Sequence, residues 1–221
     1  KPSFGRFPSD RSVGPRDLPL ASQLIPVDGV LARSVADLHL AFQVLAGPDP
    51  RDPRVVPAPL FGPEPQKPIR VAVTADPGSL GVAPEVRKAV EQAAEVLARE
   101  GYEVESVDLP RIPEILEAYG RMVMTEFQQS WPMLERLLGA DGRRYLELAR
   151  QLRQPVDLAG YLNLTAARQG LQREWAGFLE RYPLVLGPVF TESVVPVDYD
   201  IRGIEEHRRV SNGMRLCTAT S

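Results

Sequence analysis

Residues 69–109 carry a strand–helix–strand pattern that constrains the fold of this chain more than any other feature. Residues 69–74 (IRVAVT) are rich in β-branched side chains, which predicts a buried strand. Residues 83–101 predict an amphipathic helix that ends at Gly101, and residues 102–109 predict a second strand. Two strands joined through a helix form parallel neighbours in a right-handed crossover. The chain is therefore predicted to be an α/β protein.

The segment between residues 112 and 181 is predicted to be mainly helical. Its longest helix begins after Asp157, whose side chain can accept a hydrogen bond from the first turn. Pro132 predicts the end or a kink of the first helix, because proline lacks the amide hydrogen that a helix interior uses. The predicted helices span residues 112–131, 132–138, 142–152 and 158–182.

Arg168 interrupts the apolar stripe of the longest predicted helix, and two interpretations are open. Its guanidinium group could bind a substrate carboxylate or amide oxygen. Alternatively, it pairs with a glutamate of a neighbouring helix or extends its charged end into solvent. The second interpretation, in which Arg168 has no role in substrate binding, is favoured.

The two ends of the chain each predict a strand and a helix. Residues 182–190 (YPLVLGPVF) predict a short buried strand, and a helix starts at about residue 204. Near the other end, a short strand is followed by a helix that Ser34 and Asp37 can cap, since each can bond an unpaired amide of its first turn.

Residues 48–68 contain eight prolines in 21 positions. Proline removes amide donors and favours extended conformations at the residue before it, so neither a helix nor a central strand is predicted here. The segment is interpreted as a surface connection between two lobes rather than as a proline-rich ligand for a partner.

Composition excludes several classes of function. The formal net charge is −3, with Lys and Arg scattered singly, so no nucleic-acid partner is predicted. No apolar run is long enough to span a bilayer, so no membrane partner is predicted and the cytoplasm is the expected location. Cys217 is the only cysteine and the two histidines lie far apart, so no disulfide, metal site or cofactor is predicted.

A catalytic centre is not apparent in the sequence. A serine nucleophile needs a base, and the distant histidines argue against a Ser-His-Asp triad. The lysines are Lys1, Lys67 and Lys88. Lys67 follows the proline-rich segment and Lys88 lies on the polar face of its helix, so neither has the apolar setting that suits a base.

Two stretches in the first 53 residues carry a specific resemblance. KPSFGR is followed about twenty residues later by IPVDGVLARSVADLHLAFQVLAGPDPRDP, and this order and spacing resemble the amidase signature family. The resemblance is close at the front of the chain and looser after residue 110. The matching residues are Lys1, Pro2, Gly5, Arg6, Asp28, Gly29, Ala32, Arg33, Ser34, Val35, Asp37, Leu45, Ala46, Gly47, Asp49, Asp52 and Pro53.

The resemblance implies hydrolysis of the C–N bond of a small-molecule carboxamide through a serine acyl-enzyme. Amidases of this family use a Ser–cis-Ser–Lys triad, in which a neutral lysine accepts a proton and backbone amides stabilise the oxyanion. In the family all three residues precede the turn that Lys1 and Pro2 match. The chain is therefore expected to be a fragment without its catalytic residues, and to be inactive alone.

The resemblance also suggests residues that contact the substrate. Family members set their acyl specificity with the helical region and with the loop after the strand at residues 182–190, where only Pro188 matches plainly. Ordinary core packing is an equally good interpretation of each aromatic residue. The candidate substrate-binding residues are Met124, Phe127, Trp131, Phe190 and Thr191.

The resemblance divides the chain into four parts. Residues 1–47 belong to the amidase core, residues 48–68 form the proline-rich connection, residues 69–190 form an α/β and helical subdomain, and residues 191–221 return to the core. The family fold is one mixed sheet flanked by helices, so a fragment would expose apolar surface. Residues 1–46 and 204–221 are expected to be disordered or to associate, either with missing segments or with a second copy as a homodimer.

Two other functions stay open. The chain could be an amidase-derived binding or scaffold module, or the amidase-like subunit of a transamidating complex. A glycine-rich serine stretch and a lysine before Lys1 would favour the hydrolase, whereas co-purification with a partner subunit would favour the complex.

Overall fold

The computed structural model describes residues 3–9, 12–13 and 16–220. The chain forms two compact units, one up to Glu64 and one from Pro65 to Thr220. Lys1 and Pro2, which carry part of the family resemblance, lie outside the described residues. The finer four-part division of the sequence stays a prediction.

The first unit contains a two-stranded antiparallel ladder and two helices. Strand β1 (Ser12–Val13) pairs with β2 (Arg16–Asp17), and the short helix α1 (Leu20–Leu24) follows. Helix α2 spans Val35–Leu45, and the hydroxyl of Ser34 accepts a hydrogen bond from the Asp37 amide at 3.1 Å. The predicted cap by Ser34 is therefore confirmed, and the second bond, to the Asp37 carboxylate, stays a prediction.

Helix α2 keeps its apolar stripe largely exposed. No residue of the helix is buried, and Val35 is 82% exposed. Phe42 contacts the buried Phe7 ring edge to face at a centroid distance of 4.9 Å. The stripe predicted from the sequence therefore exists, and Phe42 is the residue of it that contacts Phe7 and, at 5.7 Å from the ring centroid, the Arg6 guanidinium group.

The second unit is built on a parallel sheet in the order β4–β3–β5. Strand β3 (Arg70–Val73) lies in the centre, with β4 (Glu103–Ser106) and β5 (Leu184–Leu186) on either side of it. Helix α3 (Pro84–Arg99) joins β3 to β4. The strand–helix–strand unit predicted from the sequence is confirmed, and the α/β fold class with it.

The side chains of β3 are buried against helices on both sides of the sheet. Val71 and Val73 pack with Val90 of α3. Ala72, on the other face, belongs to a core with Phe178 and other side chains from the helical region. The sequence predicts a buried β5, but Leu184 is 44% exposed because β5 is an edge strand.

Three long helices follow β4: α4 (Ile112–Leu137), α5 (Ala140–Leu152) and α6 (Leu158–Arg181). The predicted end of the helix at Trp131–Pro132 is wrong, since α4 runs through Pro132 to Leu137, and the alternative, a kink at Pro132, stays a prediction. One missing amide bond does not end a helix that side-chain packing supports over many turns.

The side chain of Asp157 caps α6 as predicted, because it accepts a hydrogen bond from the Gly160 amide at 2.8 Å. Helices α4 and α6 are also joined by a hydrogen bond, in which the Tyr161 hydroxyl donates to the buried Glu126 carboxylate at 2.5 Å.

The C-terminal segment contains a 3₁₀ turn (Tyr199–Ile201) and two helices, α7 (Ile204–Gly213) and α8 (Arg215–Ala219). The sequence predicts a single helix here, and the break at Met214 is a difference from that prediction. None of the helices in the described part of the chain combines the length and apolarity that a membrane crossing needs.

Candidate functional site

A cavity of about 290 Å³ lies within the second unit, where α4 and α5 meet the junction of α7 and α8. Helix α4 supplies the largest share of its wall, six of the fourteen lining residues, from positions three and four apart that share one helical face. The lining residues of α4 are Leu116, Tyr119, Gly120, Val123, Met124 and Phe127.

The opposite wall is more polar. The end of α5 contributes Tyr145, Ala149, Leu152 and Arg153, and the α7–α8 region contributes Ser211, Asn212, Met214 and Thr218. The cavity therefore combines an apolar and aromatic wall with a few hydrogen-bonding groups, as small-molecule sites commonly do.

Two of the five predicted substrate-binding residues line this cavity, and three lie elsewhere. Met124 and Phe127 are in the α4 wall. Trp131 lies one turn after Phe127 on α4. The Phe190 ring packs closely against Gly213, since a Cβ atom at position 213 would lie 2.4 Å from Cε2 of Phe190. Whether any of these residues contacts a substrate stays a prediction.

Thr191 is fully buried and joins two segments through its backbone. Its amide donates to the Gly213 carbonyl at 3.0 Å, and its carbonyl accepts from the Ala83 amide at 2.9 Å. Its hydroxyl has no hydrogen-bond partner among the described residues. Thr191 thus fixes the end of α7 against the start of α3.

Tyr145 lines the cavity and packs against the buried His207. Its ring meets the ring of His207 at a centroid distance of 4.7 Å, and Nδ1 of His207 lies 2.9 Å from the Asp200 carbonyl. Burial raises the pKa of the Tyr145 hydroxyl, and the negative charge of Asp200 adds to this effect. Tyr145 therefore presents a neutral phenol to the cavity at physiological pH.

Arg215 holds helix α8 in place. Its buried guanidinium group lies 2.5 Å from Oδ1 of Asp76, donates to the Gly81 carbonyl, and donates to the Asn212 carbonyl at 3.3 Å. Asp76 in turn accepts the backbone amides of Leu80 and Gly81, each at 3.1 Å. These bonds fix the α7–α8 wall of the cavity to the loop that follows β3.

The cavity is equipped for binding rather than for covalent chemistry. Among the described residues that line it there is no carboxylate, histidine, lysine or cysteine. Arg168 is half-buried and lies outside the lining, and burial lowers the pKa of its guanidinium group. The described residues also hold no group of three or more acidic, histidine or cysteine side chains suited to a metal ion.

Sequence reasoning missed most of the cavity. Tyr119 and Val123 share a helical face with Met124 and Phe127, so their spacing could have indicated them. Tyr145, Arg153 and Asn212 come from other helices, and no local pattern places them beside α4.

The sequence matches the Amidase family profile over residues 1–218. It is 38% identical over 190 residues to an indoleacetamide hydrolase of Bradyrhizobium japonicum, and the match covers 85% of this chain and 41% of that protein. It is 35% identical over 178 residues to a glutamyl-tRNA(Gln) amidotransferase subunit of Thermus thermophilus, covering 78% of this chain and 34% of that one. The chain therefore belongs to the amidase family.

The fold agrees with this assignment. The structure superimposes on a bacterial aryl acylamidase of the amidase signature family with a TM-score of 0.69 at 23% sequence identity. The match covers 100% of this chain and 49% of the acylamidase. The chain thus spans less than half the length of each of these relatives.

Proposed function

We propose that this chain is part of an amidase that hydrolyses a small aromatic carboxamide, and that the cavity holds the aromatic acyl group. The observation that carries the proposal is the cavity itself, since the aromatic and aliphatic side chains of α4 face hydrogen-bonding groups of the α7–α8 junction. An aromatic ring fits the first wall, and a carboxamide can bond the second. The similarity to an indoleacetamide hydrolase supports this choice of substrate class.

The proposed reaction proceeds through a serine acyl-enzyme in the cytoplasm. The serine oxygen attacks the amide carbon and the C–N bond breaks. The amide nitrogen takes up the serine proton and leaves as ammonia. Water then cleaves the ester to give the free carboxylate. The serine, the bridging serine and the lysine are proposed to lie outside these 221 residues, so the chain alone supplies the acyl pocket and no hydrolysis.

Binding of indole-3-acetamide to the 221-residue chain tests the pocket. We expect saturable binding by calorimetry, and Phe127→Ala should weaken it about tenfold because the variant removes most of an aromatic contact surface. Phe61→Ala is the matched control, since Phe61 is 67% exposed and belongs to the other unit. Equal loss in both variants, or no binding by the native chain, would contradict the pocket.

Release of ammonia from indole-3-acetamide tests whether the 221-residue chain lacks the catalytic residues. We expect none above the buffer rate from the 221-residue chain. Measurable release that a serine-directed inhibitor stops would show that the chain contains its own nucleophile and would overturn this part of the proposal.

A second function is favoured by the similarity to an amidotransferase subunit. In this alternative the chain belongs to a complex in which released ammonia passes to a partner enzyme. Stable co-purification with a second subunit from the native source would support it. A third alternative, a binding or scaffold module without chemistry, would be supported by binding in the cavity without hydrolysis by the whole native protein.

A further inference from the structure

The cavity wall carries an unbalanced positive charge. Arg153 lines the cavity, and its Nε atom lies 3.0 Å from Oε2 of Glu117. The same carboxylate group lies 3.3 Å from Nε of Arg121. Two guanidinium groups therefore share one carboxylate, and no carboxylate among the described residues lines the cavity itself.

Arg153 is held beside the cavity by the close approach of α4. A Cβ at Gly120 would lie 2.6 Å from Cγ of Arg153, so glycine leaves the room that the arginine stem occupies. In the described part of the chain its contacts use Nε, towards Glu117, and Nη1, which donates to the Leu152 carbonyl at 3.2 Å. A guanidinium group has five N–H donors, so others remain available to a ligand.

The side chain of Arg153 is 28% exposed, so its charge is neither fully hydrated nor fully buried. A partly desolvated guanidinium group binds a carboxylate more strongly than it binds a neutral amide oxygen, because the ionic hydrogen bonds are shorter and can be bidentate. The neutral phenols of Tyr119 and Tyr145 add no negative charge that would oppose such an anion, since burial raises both of their pKa values.

We propose that this cavity prefers an aromatic carboxylate to the matching neutral amide, with the carboxylate bound by Arg153. This inference rests on the proposed aromatic amide function and deepens it. Hydrolysis of an aromatic amide by water gives the aromatic carboxylate and ammonium. The product of the reaction therefore competes with the substrate for the same cavity and slows turnover as it accumulates.

The test compares indole-3-acetate with indole-3-acetamide in calorimetric titrations of the 221-residue chain at neutral pH. We expect the acid to bind about fivefold more tightly, a difference typical of one partly exposed ion pair. The preference should shrink at high salt, because salt screens the carboxylate–guanidinium attraction but not the apolar contacts. Equal affinities at low salt would overturn the inference.

Three variants assign the preference to Arg153. Arg153→Gln should make the two affinities equal, and Glu117→Gln should enlarge the preference because it removes the carboxylate that competes with the ligand. Arg121→Gln is the matched control, since Arg121 also contacts Glu117 but does not line the cavity. In this variant the acid should still bind more tightly than the amide. If Arg153→Gln does not fold, Arg153→Lys keeps the charge and should retain part of the preference.

The outcomes separate this inference from the proposed function. Amide binding without preference for the acid, or an unchanged preference in Arg153→Gln, overturns the role of Arg153 and leaves the amide pocket standing. Absence of binding by both ligands overturns the pocket itself. A preference that disappears equally in Arg121→Gln and Arg153→Gln would show a general charge effect and would also overturn the assignment.

Discussion

Asp52 shows how one carboxylate organises the first unit. It is buried, and it accepts hydrogen bonds from the Ser9 amide at 2.9 Å and the Arg54 amide at 3.0 Å. Gly5 lies beside this turn with φ at +77°, and a Cβ there would lie 2.8 Å from the Arg54 carbonyl oxygen. Gly5 and Asp52 both belong to the amidase-like stretches, so these signature residues have a structural role in this chain.

Asp52 makes the first unit sensitive to acid. Burial alone would raise the pKa of its carboxyl group, but the amides of Ser9 and Arg54 and the charge of Arg54 outweigh burial and lower it below its ordinary value of 3.8. A lowered pKa in the folded state gives stability that is present above 3.8 and is lost as the pH falls through the folded value.

We therefore expect Asp52→Asn to lower the free energy of unfolding at neutral pH by about 1–3 kcal/mol. This difference between the variant and the native chain should become smaller as the pH falls below 3.8. Urea unfolding at a series of pH values, followed by a probe in the first unit, measures this. Asp28→Asn is the control, since Asp28 is exposed. If the difference in unfolding free energy stays constant from neutral to acid pH, the charge of Asp52 does not contribute to stability.

Helix α8 is held by a buried ion pair of Arg215 and by Leu216 and Ala219, which pack against the core of the second unit. Its five residues cannot form a stable helix alone, since the nucleation of a short helix is unfavourable. Arg215, whose side chain is 1% exposed, joins the helix to Asp76 and to the loop that follows β3.

Arg215→Met should destabilise the second unit by about 3–5 kcal/mol, because it leaves the carboxylate of Asp76 without its buried partner. Arg87→Gln is the matched control, since Arg87 lies 3.9 Å from Asp76 and is 48% exposed, so we expect a change of about 0.5 kcal/mol or less. Thermal and urea unfolding measure both variants. Similar losses in the two would show that Asp76 needs a nearby charge and no particular geometry.

The elements that the sequence predicted well are those with strong local signals. The β-branched residues of β3, the amphipathic face of α3 and the caps at Ser34 and Asp157 act within a few residues, and each appears where expected. Pro132 shows the limit of a local rule, because packing over the length of α4 outweighs one lost hydrogen bond.

The cavity could be predicted only in part. Met124 and Phe127 lie on the face of α4 that the helical period indicates. Arg153 and the residues of the α7–α8 junction reach the cavity through contacts between helices that are distant in sequence. Tertiary packing determines these positions, and a single sequence does not contain it.

At the scale of the whole molecule, the exposed apolar face of α2 bears on association. Val35 is 82%, Leu45 49% and Leu38 40% exposed, and these three positions share one face of the helix. Contiguous apolar surface of this kind commonly marks a contact with another chain or segment. Homodimerisation through this face stays a prediction.

We expect the chain to self-associate in sedimentation experiments and the double variant Val35→Ser/Leu45→Ser to be monomeric at the same concentration. Each substitution should change the stability of the folded chain by about 0.5 kcal/mol or less, because the side chains are exposed. Val96→Ser is the control, since Val96 is 48% exposed on α3 in the other unit. A monomeric native chain, or equal effects of the three substitutions, would contradict this prediction.

The parallel order β4–β3–β5 also determines how the second unit folds. Strand β3 pairs with β4 through the connection that contains α3, residues 74–102, whereas its pairing with β5 joins Val71 to Leu184 across more than a hundred residues. Closing so long a loop costs entropy before any contact offsets it, which slows folding. The β3–α3–β4 unit is thus expected to form first, and β5 to dock last. Hydrogen exchange protection should accordingly reach β3 and β4 earlier in refolding than β5.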